Sequence, residues 1–195
     1  HYAGSVGNLS AVYKFAEAHN LRVIEDAAHA FGTVYKGRKV GGFGDVSCFS
    51  FDGIKNITSG EGGAIFTSDV KVMEYVKDAR LLGVEKDSEK RYKSERSWDF
   101  DVSIQGYRYH MSNIFAAIGR VQLRRFEKEF AISRKHIAKK YTRLLIKNMN
   151  IKLIDMDYDN IVPHIFPILV QGGLRNHLFD KFNENGVQCG MHYKP

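Results

Sequence analysis

Val46-Ser47-Cys48-Phe49-Ser50-Phe51-Asp52-Gly53-Ile54-Lys55-Asn56, closed by Ser59-Gly60-Glu61-Gly62-Gly63, is the stretch on which the fold turns. Val46 to Phe51 is a short apolar, aromatic-rich run, the pattern of a buried strand. Alternation along it sends Phe49 and Phe51 to one side and Ser50 to the other. Lys55 stands just past the strand end. The glycines that follow let the backbone turn back into the sheet. They match neither a Walker loop nor a dinucleotide fingerprint, so alone they define no ligand. Gly41-Gly42-Phe43-Gly44-Asp45 is a tight-turn cluster feeding the strand from the other end.

Working outward, Leu21 to Glu25 reads as a second short buried strand, with Asp26 at its C-terminal end. Before it, Asn8 or Ser10 can cap a helix through Leu9, Val12, Phe15 and Ala16, and Asn20 sits where a C′ residue would stop it. Thr33 to Tyr35 and Gly63 to Thr67 are further strand candidates. Asp69 can cap a helix whose apolar face carries Val72, Met73, Val76, Ala79 and Leu82. Helices alternating with short buried strands predict an α/β domain with a mostly parallel sheet.

The pattern breaks between 84 and 104, where Glu85-Lys86-Asp87-Ser88-Glu89-Lys90-Arg91 is a charge run expected in a surface loop. Ser112 can cap a long helix through Ala116, Ala117, Ile118, Val121, Leu123 and Phe126, with helical pattern continuing to about Leu145. Strands are expected at Ile151 to Ile154 and His164 to Val170, and a helix from Leu174 to Asn185. Residues 1–149 therefore read as part of a large domain including the long connecting helix, and 150–195 as the start of a smaller α+β domain. An opening without Met and a close inside Met191-His192-Tyr193-Lys194-Pro195 read as a piece of a larger protein.

The chain has 195 residues, 44% apolar and 26% charged, ordinary values for a folded soluble protein. No apolar run approaches the roughly 20 residues needed to span a bilayer. Cys48 and Cys189 lie far apart, outside any CxxC or His/Cys spacing, which argues against zinc and fits a reducing, cytoplasmic setting. The net charge of +7 is dispersed over the chain without the aromatic interleaving of a nucleic-acid platform. It reads as a solvated surface suited to an anionic small substrate.

Lys55 and Asp26 carry the chemistry. A lysine beyond one strand, with a carboxylate at the C-terminal edge of another, is the arrangement a Schiff-base enzyme needs. The amine condenses with an aldehyde cofactor, and the carboxylate keeps a pyridine nitrogen protonated as an electron sink. That edge is also where open α/β sheets bind ligands. The plainer alternatives stay open at this point: Asp26 as a cap on the next turn, His29 as a packed side chain, Ser50 as one strand serine among many.

In order, Glu25-Asp26-Ala27-Ala28-His29-Ala30, Gly44-Asp45, Phe49-Ser50-Phe51-x-x-x-Lys55-Asn56 and Gly60-Glu61-Gly62-Gly63-Ala64 resemble the pyridoxal-phosphate-dependent sugar aminotransferases of the DegT/DnrJ/EryC1/StrS group. So do Gly106-Tyr107-x-Tyr109-x-Met111-Ser112-Asn113 and Ala116-Ala117-Ile118-Gly119-x-x-Gln122-Leu123. Gly186-Val187 and His192-Tyr193-Lys194-Pro195 resemble the group's substrate-side segment. The resemblance covers essentially the whole chain. It implies an aspartate-aminotransferase-like (fold type I) domain and transfer of an amino group, from glutamate as donor, onto a nucleotide-linked keto-sugar for surface polysaccharide or antibiotic sugar biosynthesis. A homodimer with shared sites is implied as well, with no membrane partner and no nucleic acid beyond the sugar's nucleotide.

By the same resemblance Lys55 bonds pyridoxal 5′-phosphate and shuttles protons between cofactor and substrate. Asp26 pairs with the ring nitrogen, His29 lies near the ring oxygen, and Ser50 binds the phosphate. The group's usual Gly-Tyr-Asn-Tyr-Arg-Met reads Gly106-Tyr107-Arg108-Tyr109-His110-Met111 here. Its Asn reaches the phosphate in the neighbouring subunit, and Arg108 would replace that contact with a charge-assisted one. The N-terminal segment, with its phosphate loop, and the rest of the small domain are expected outside this piece. Two rivals share the fold: a sugar dehydratase, which carries His where Lys55 stands, and a non-catalytic pyridoxal-phosphate-binding regulator or pseudoenzyme. A generic basic α/β binding domain leaves the ordered motifs unexplained.

Overall fold

The computed structural model describes residues 1–85, 93 and 100–193. The first helix, α1 (Leu9–Ala18), begins where the Asn8 side chain accepts from the Ala11 amide at 3.1 Å. It ends before Asn20, which takes the left-handed conformation at φ +52°. The Leu21 amide closes back on the Ala16 carbonyl at 2.8 Å, and the Val23 amide donates to the Asp45 carboxylate at 2.8 Å. Those two bonds occupy backbone that the sequence pattern assigns to a strand. The strand, β1 (Ile24–Asp26), therefore starts later and ends one residue further on than expected.

The site is built on a three-stranded sheet, ordered β1, β4 (Val46–Ser50) and β5 (Gly63–Phe66). β1 and β4 run parallel with Asp26 opposite Cys48, whereas β4 and β5 are antiparallel with Ser50 opposite Gly63. The α/β reading holds, and the sheet is mixed. The glycine-rich return is what allows β5 to come straight back beside β4. Thr33 to Tyr35 supplies only β2 (Val34–Tyr35), which pairs with β3 (Arg38–Lys39) in a separate hairpin. Lys36 and Gly37 at its tip both have positive φ, +46° and +79°, as a two-residue hairpin turn requires.

Asp69 caps α2 (Val70–Ala79) through the Lys71 and Val72 amides, and Ser112 caps α3 (Asn113–Arg125) through the Phe115 amide at 3.2 Å. A π-helical turn, Phe126–Phe130, links α3 to α4 (Ala131–Leu145), so the continuous helical stretch ends at the expected Leu145. The apolar residues of α3 stay open within this chain, with Ile118, Val121 and Leu123 each more than two-fifths exposed. Phe126 alone of that set is buried. It joins Ile57, Ala131 and Val162 in a core flanked by Phe31, Phe51 and Phe130. Phe31 meets Phe49, Phe51 and Phe126 edge-on, with centroids 5.0–6.0 Å apart, which places Phe49 and Phe51 on one face of β4 as the alternation predicts.

β6 (Ile151–Leu153) and β7 (Ile168–Val170) form an antiparallel pair, followed by α5 (Arg175–Glu184). His164 to Phe166 is not strand, contrary to the sequence pattern. Pro163 has no amide to give a ladder, and its neighbours bond elsewhere. The Val162 amide donates to Thr33 Oγ1 at 3.1 Å, and the His164 amide to the Ala3 carbonyl at 3.3 Å. Most of the charge run beginning at Glu85 lies outside the described residues.

Candidate active site

Lys55 is carried on a turn that the sequence builds locally. Asp52 accepts from the Ile54 amide through its side chain at 3.0 Å and from the Lys55 amide through its carbonyl at 3.1 Å. The loop is closed behind it by Phe51 amide to Gly62 carbonyl, 2.8 Å, and Ser59 amide to Phe51 carbonyl, 2.9 Å. Next to Lys55, the buried Asn56 amide group donates to the carbonyls of Phe31 (3.1 Å) and Val162 (3.2 Å). The Lys-Asn pair thus joins a half-buried amine to a buried anchor.

Asp26 sits exposed at the end of β1, and its Oδ1 accepts from the Ala28 amide at 3.0 Å. The turn-capping alternative is therefore real, and it uses one carboxylate oxygen only. His29 lies on the turn that follows. Burial pushes the His29 pKa down, Lys55 pushes it further the same way, and Asp26 opposes them. One imidazole thus feels both the amine and the carboxylate, the pair singled out in the sequence. Ser50 ends β4 opposite Gly63, its hydroxyl accepting from the Asp52 amide at 3.4 Å.

Arg108 stands apart. Backbone bonds from Tyr107 and Tyr109 to the Ala79 and Arg80 carbonyls fix its segment against the end of α2. Its side chain is exposed, and no described contact joins it to Asp26, His29, Ser50 or Lys55. The glycine before this segment has a packing reason. A Cβ on Gly106 would lie 1.9 Å from the Gly83 nitrogen.

Two further participants, His164 and Arg134, carry no assignment in the sequence, and a third, His192, stands in the motif that resembles the group's substrate-side segment. His164 packs on His29, ring centroids 4.3 Å apart and tilted by 40°. It is buried, and burial, reinforced by His29, Lys55, Arg134 and His192, pushes its pKa down to about 4. His192 acts on both imidazoles. Arg134, on α4, donates to the Lys55 carbonyl. The Nδ1 atoms of His29 and His164 are buried with no partner. His192 is signalled by its motif, Arg134 only weakly by its place near the start of a basic helix, and His164 not at all.

An amine on a fixed turn, a carboxylate with one oxygen committed, and an unpartnered imidazole nitrogen influenced by both form a set suited to a flat, anionic aldehyde cofactor. The fold around them is that of the pyridoxal-phosphate aminotransferases of fold type I. The Helicobacter pylori aminotransferase PseC, involved in the biosynthesis of pseudoaminic acid, superposes with a TM-score of 0.88 at 29% identity, over 100% of this chain and 51% of that one. Residues 1–195 match the DegT/DnrJ/EryC1/StrS aminotransferase family throughout, and the chain belongs to it. It is 31% identical over 198 residues to the UDP-4-amino-4,6-dideoxy-N-acetyl-beta-L-altrosamine transaminase of Campylobacter jejuni, covering 100% of this chain and 50% of that protein. It is 38% identical over 141 residues to the Bacillus subtilis spore coat polysaccharide biosynthesis protein SpsC, covering 72% and 36% respectively. The chain spans about half or less of the length of these relatives.

Proposed function

We propose that the full-length protein transfers an amino group from an amino acid, glutamate in the first instance, to a nucleotide-linked keto-sugar, using pyridoxal 5′-phosphate. The observation that carries this reading is that Lys55 and Asp26 both act on the His29 imidazole, in a chain that matches the aminotransferase family from end to end. When bound, pyridoxal phosphate supplies the electron sink and holds the amino group between the two substrates. Lys55 would anchor it through Nζ and, once released, move the proton at the substrate carbon. Asp26 would hold the ring nitrogen protonated, an adjacent cation favouring the ionised carboxylate. His29 would lie near the ring oxygen, and the Ser50 hydroxyl would donate to the phosphate. Arg108 would reach the phosphate of a second subunit, which makes a homodimer part of the reading.

A product destined for surface polysaccharide accords with the kind of relative SpsC is, and a cytoplasmic enzyme with two free thiols accords with a nucleotide-sugar substrate. The change from large to small domain at residue 150 is part of the same proposal. No described helix is long and apolar enough to cross a membrane. Lys55 itself weighs against the dehydratase reading, which requires His at that position. Lys55→Ala in the full-length protein should abolish the visible absorbance that wild type acquires with pyridoxal phosphate. Persistence of that absorbance would remove Lys55 from its assigned role.

A further inference from the structure

The Lys55 turn is fastened from behind by a cation. Arg134 Nη2 donates to the Lys55 carbonyl at 3.3 Å, while Nη1 donates to the carbonyls of Pro163 (3.3 Å) and His164 (3.1 Å). These are the partners described for this partly buried guanidinium, and none is a carboxylate. Withdrawing a guanidinium from water without a counter-ion is costly. Five donors in a rigid fork suit it to gathering several carbonyls at once, which a lysine does not do. The same Val162–His164 segment is bonded to Asn56 and Thr33, so the lysine turn and the His164 backbone are held as one piece. His164 in turn packs on His29.

We propose that Arg134 is a positioning residue for Lys55, tying the lysine turn to the Pro163-His164 backbone so that the amine and the His29–His164 imidazole pair keep one relative geometry. The clamp stands on the contacts alone; its consequence for cofactor binding rests on the function proposed above. Loosening a reactive group by about an ångström is enough to cost on the order of tenfold to a hundredfold.

The test compares wild type, Arg134→Met and Arg134→Lys in the full-length protein by two readouts. The first is amide hydrogen exchange of peptides covering 52–59 and 162–166 without cofactor. The second is the pyridoxal-phosphate Kd and the pH at which the visible absorbance of the loaded protein titrates. Arg134→Met should speed exchange in both peptides, weaken Kd by roughly tenfold or more and move the titration midpoint, and Arg134→Lys should recover part of each. Lower thermal stability with an unchanged Kd and titration midpoint would reduce Arg134 to a structural staple and overturn the proposal. If Arg134→Met does not fold, Arg134→Lys decides alone: wild-type exchange and Kd would overturn it. A wild-type protein that takes up no cofactor would sink the proposed function instead, and the exchange data would still decide the clamp.

Discussion

His164 shows how one buried side chain writes itself into the pH dependence of the whole. Its folded pKa of about 4 lies below the ordinary histidine value near 6.5, so between them the unfolded chain binds the extra proton. The stability from neutral His164 is therefore complete above about pH 6.5 and is lost as the pH falls towards 4, by at most about 3 kcal/mol. Urea midpoints at pH 7 and pH 4.5 should diverge in wild type and converge in His164→Phe. An equal loss in the variant would assign the acid sensitivity to other groups. Gly44 answers to sterics instead. A Cβ there would stand 1.6 Å from the Tyr13 hydroxyl oxygen, and that hydroxyl donates to buried Glu25 at 2.5 Å. Gly44→Ala should lower stability by roughly 1–3 kcal/mol, measured by denaturant unfolding. Asn56→Ala strips a donor from two carbonyls, Phe31 and Val162, and should cost about 2 kcal/mol by the same measurement.

At the scale of elements, what the sequence discloses and what it hides divide by the distance over which a bond acts. Asn8, Asp69 and Ser112 are legible as caps because each bonds an amide two or three residues away. Ser112→Ala should accordingly cost about 1 kcal/mol, seen as a lower unfolding midpoint, with α3 otherwise intact. The start of β1 is not legible, because the Val23 amide is claimed by Asp45, 22 residues away. The predicted strand at His164 fails for the same reason. Val162, two residues before it, is tied to Thr33 across 129 positions and to Asn56 across 106. Arg134 reaches Lys55 across 79. Alternation in β4 was a sound guide since Phe31 packs against Phe49 and Phe51 together. Periodicity in α3 located the helix but not its surroundings, as Ile118, Val121 and Leu123 remain open within this chain while Phe126, just past its end, is buried.

For the molecule as a whole, motif order carried more than pattern. The fold type followed from a string of short motifs, and the superposition on PseC agrees with it. Lys55, Asp26 and His29 were readable in advance as candidates. His164 and Arg134 were not, since they reach the site from distant segments, and His192 was legible only as part of a substrate-side motif. If these residues hold pyridoxal phosphate, the cofactor at a hundred times its Kd should stabilise the full-length protein by about 2.7 kcal/mol, and Lys55→Ala should lose most of that gain in thermal unfolding. Amino transfer is decided by an absorbance spectrum of the full-length protein with pyridoxal phosphate, taken before and after glutamate. A visible band should form and give way to the shorter-wavelength absorbance of the aminated cofactor. A band that forms and then ignores glutamate and every other amino donor would contradict amino transfer.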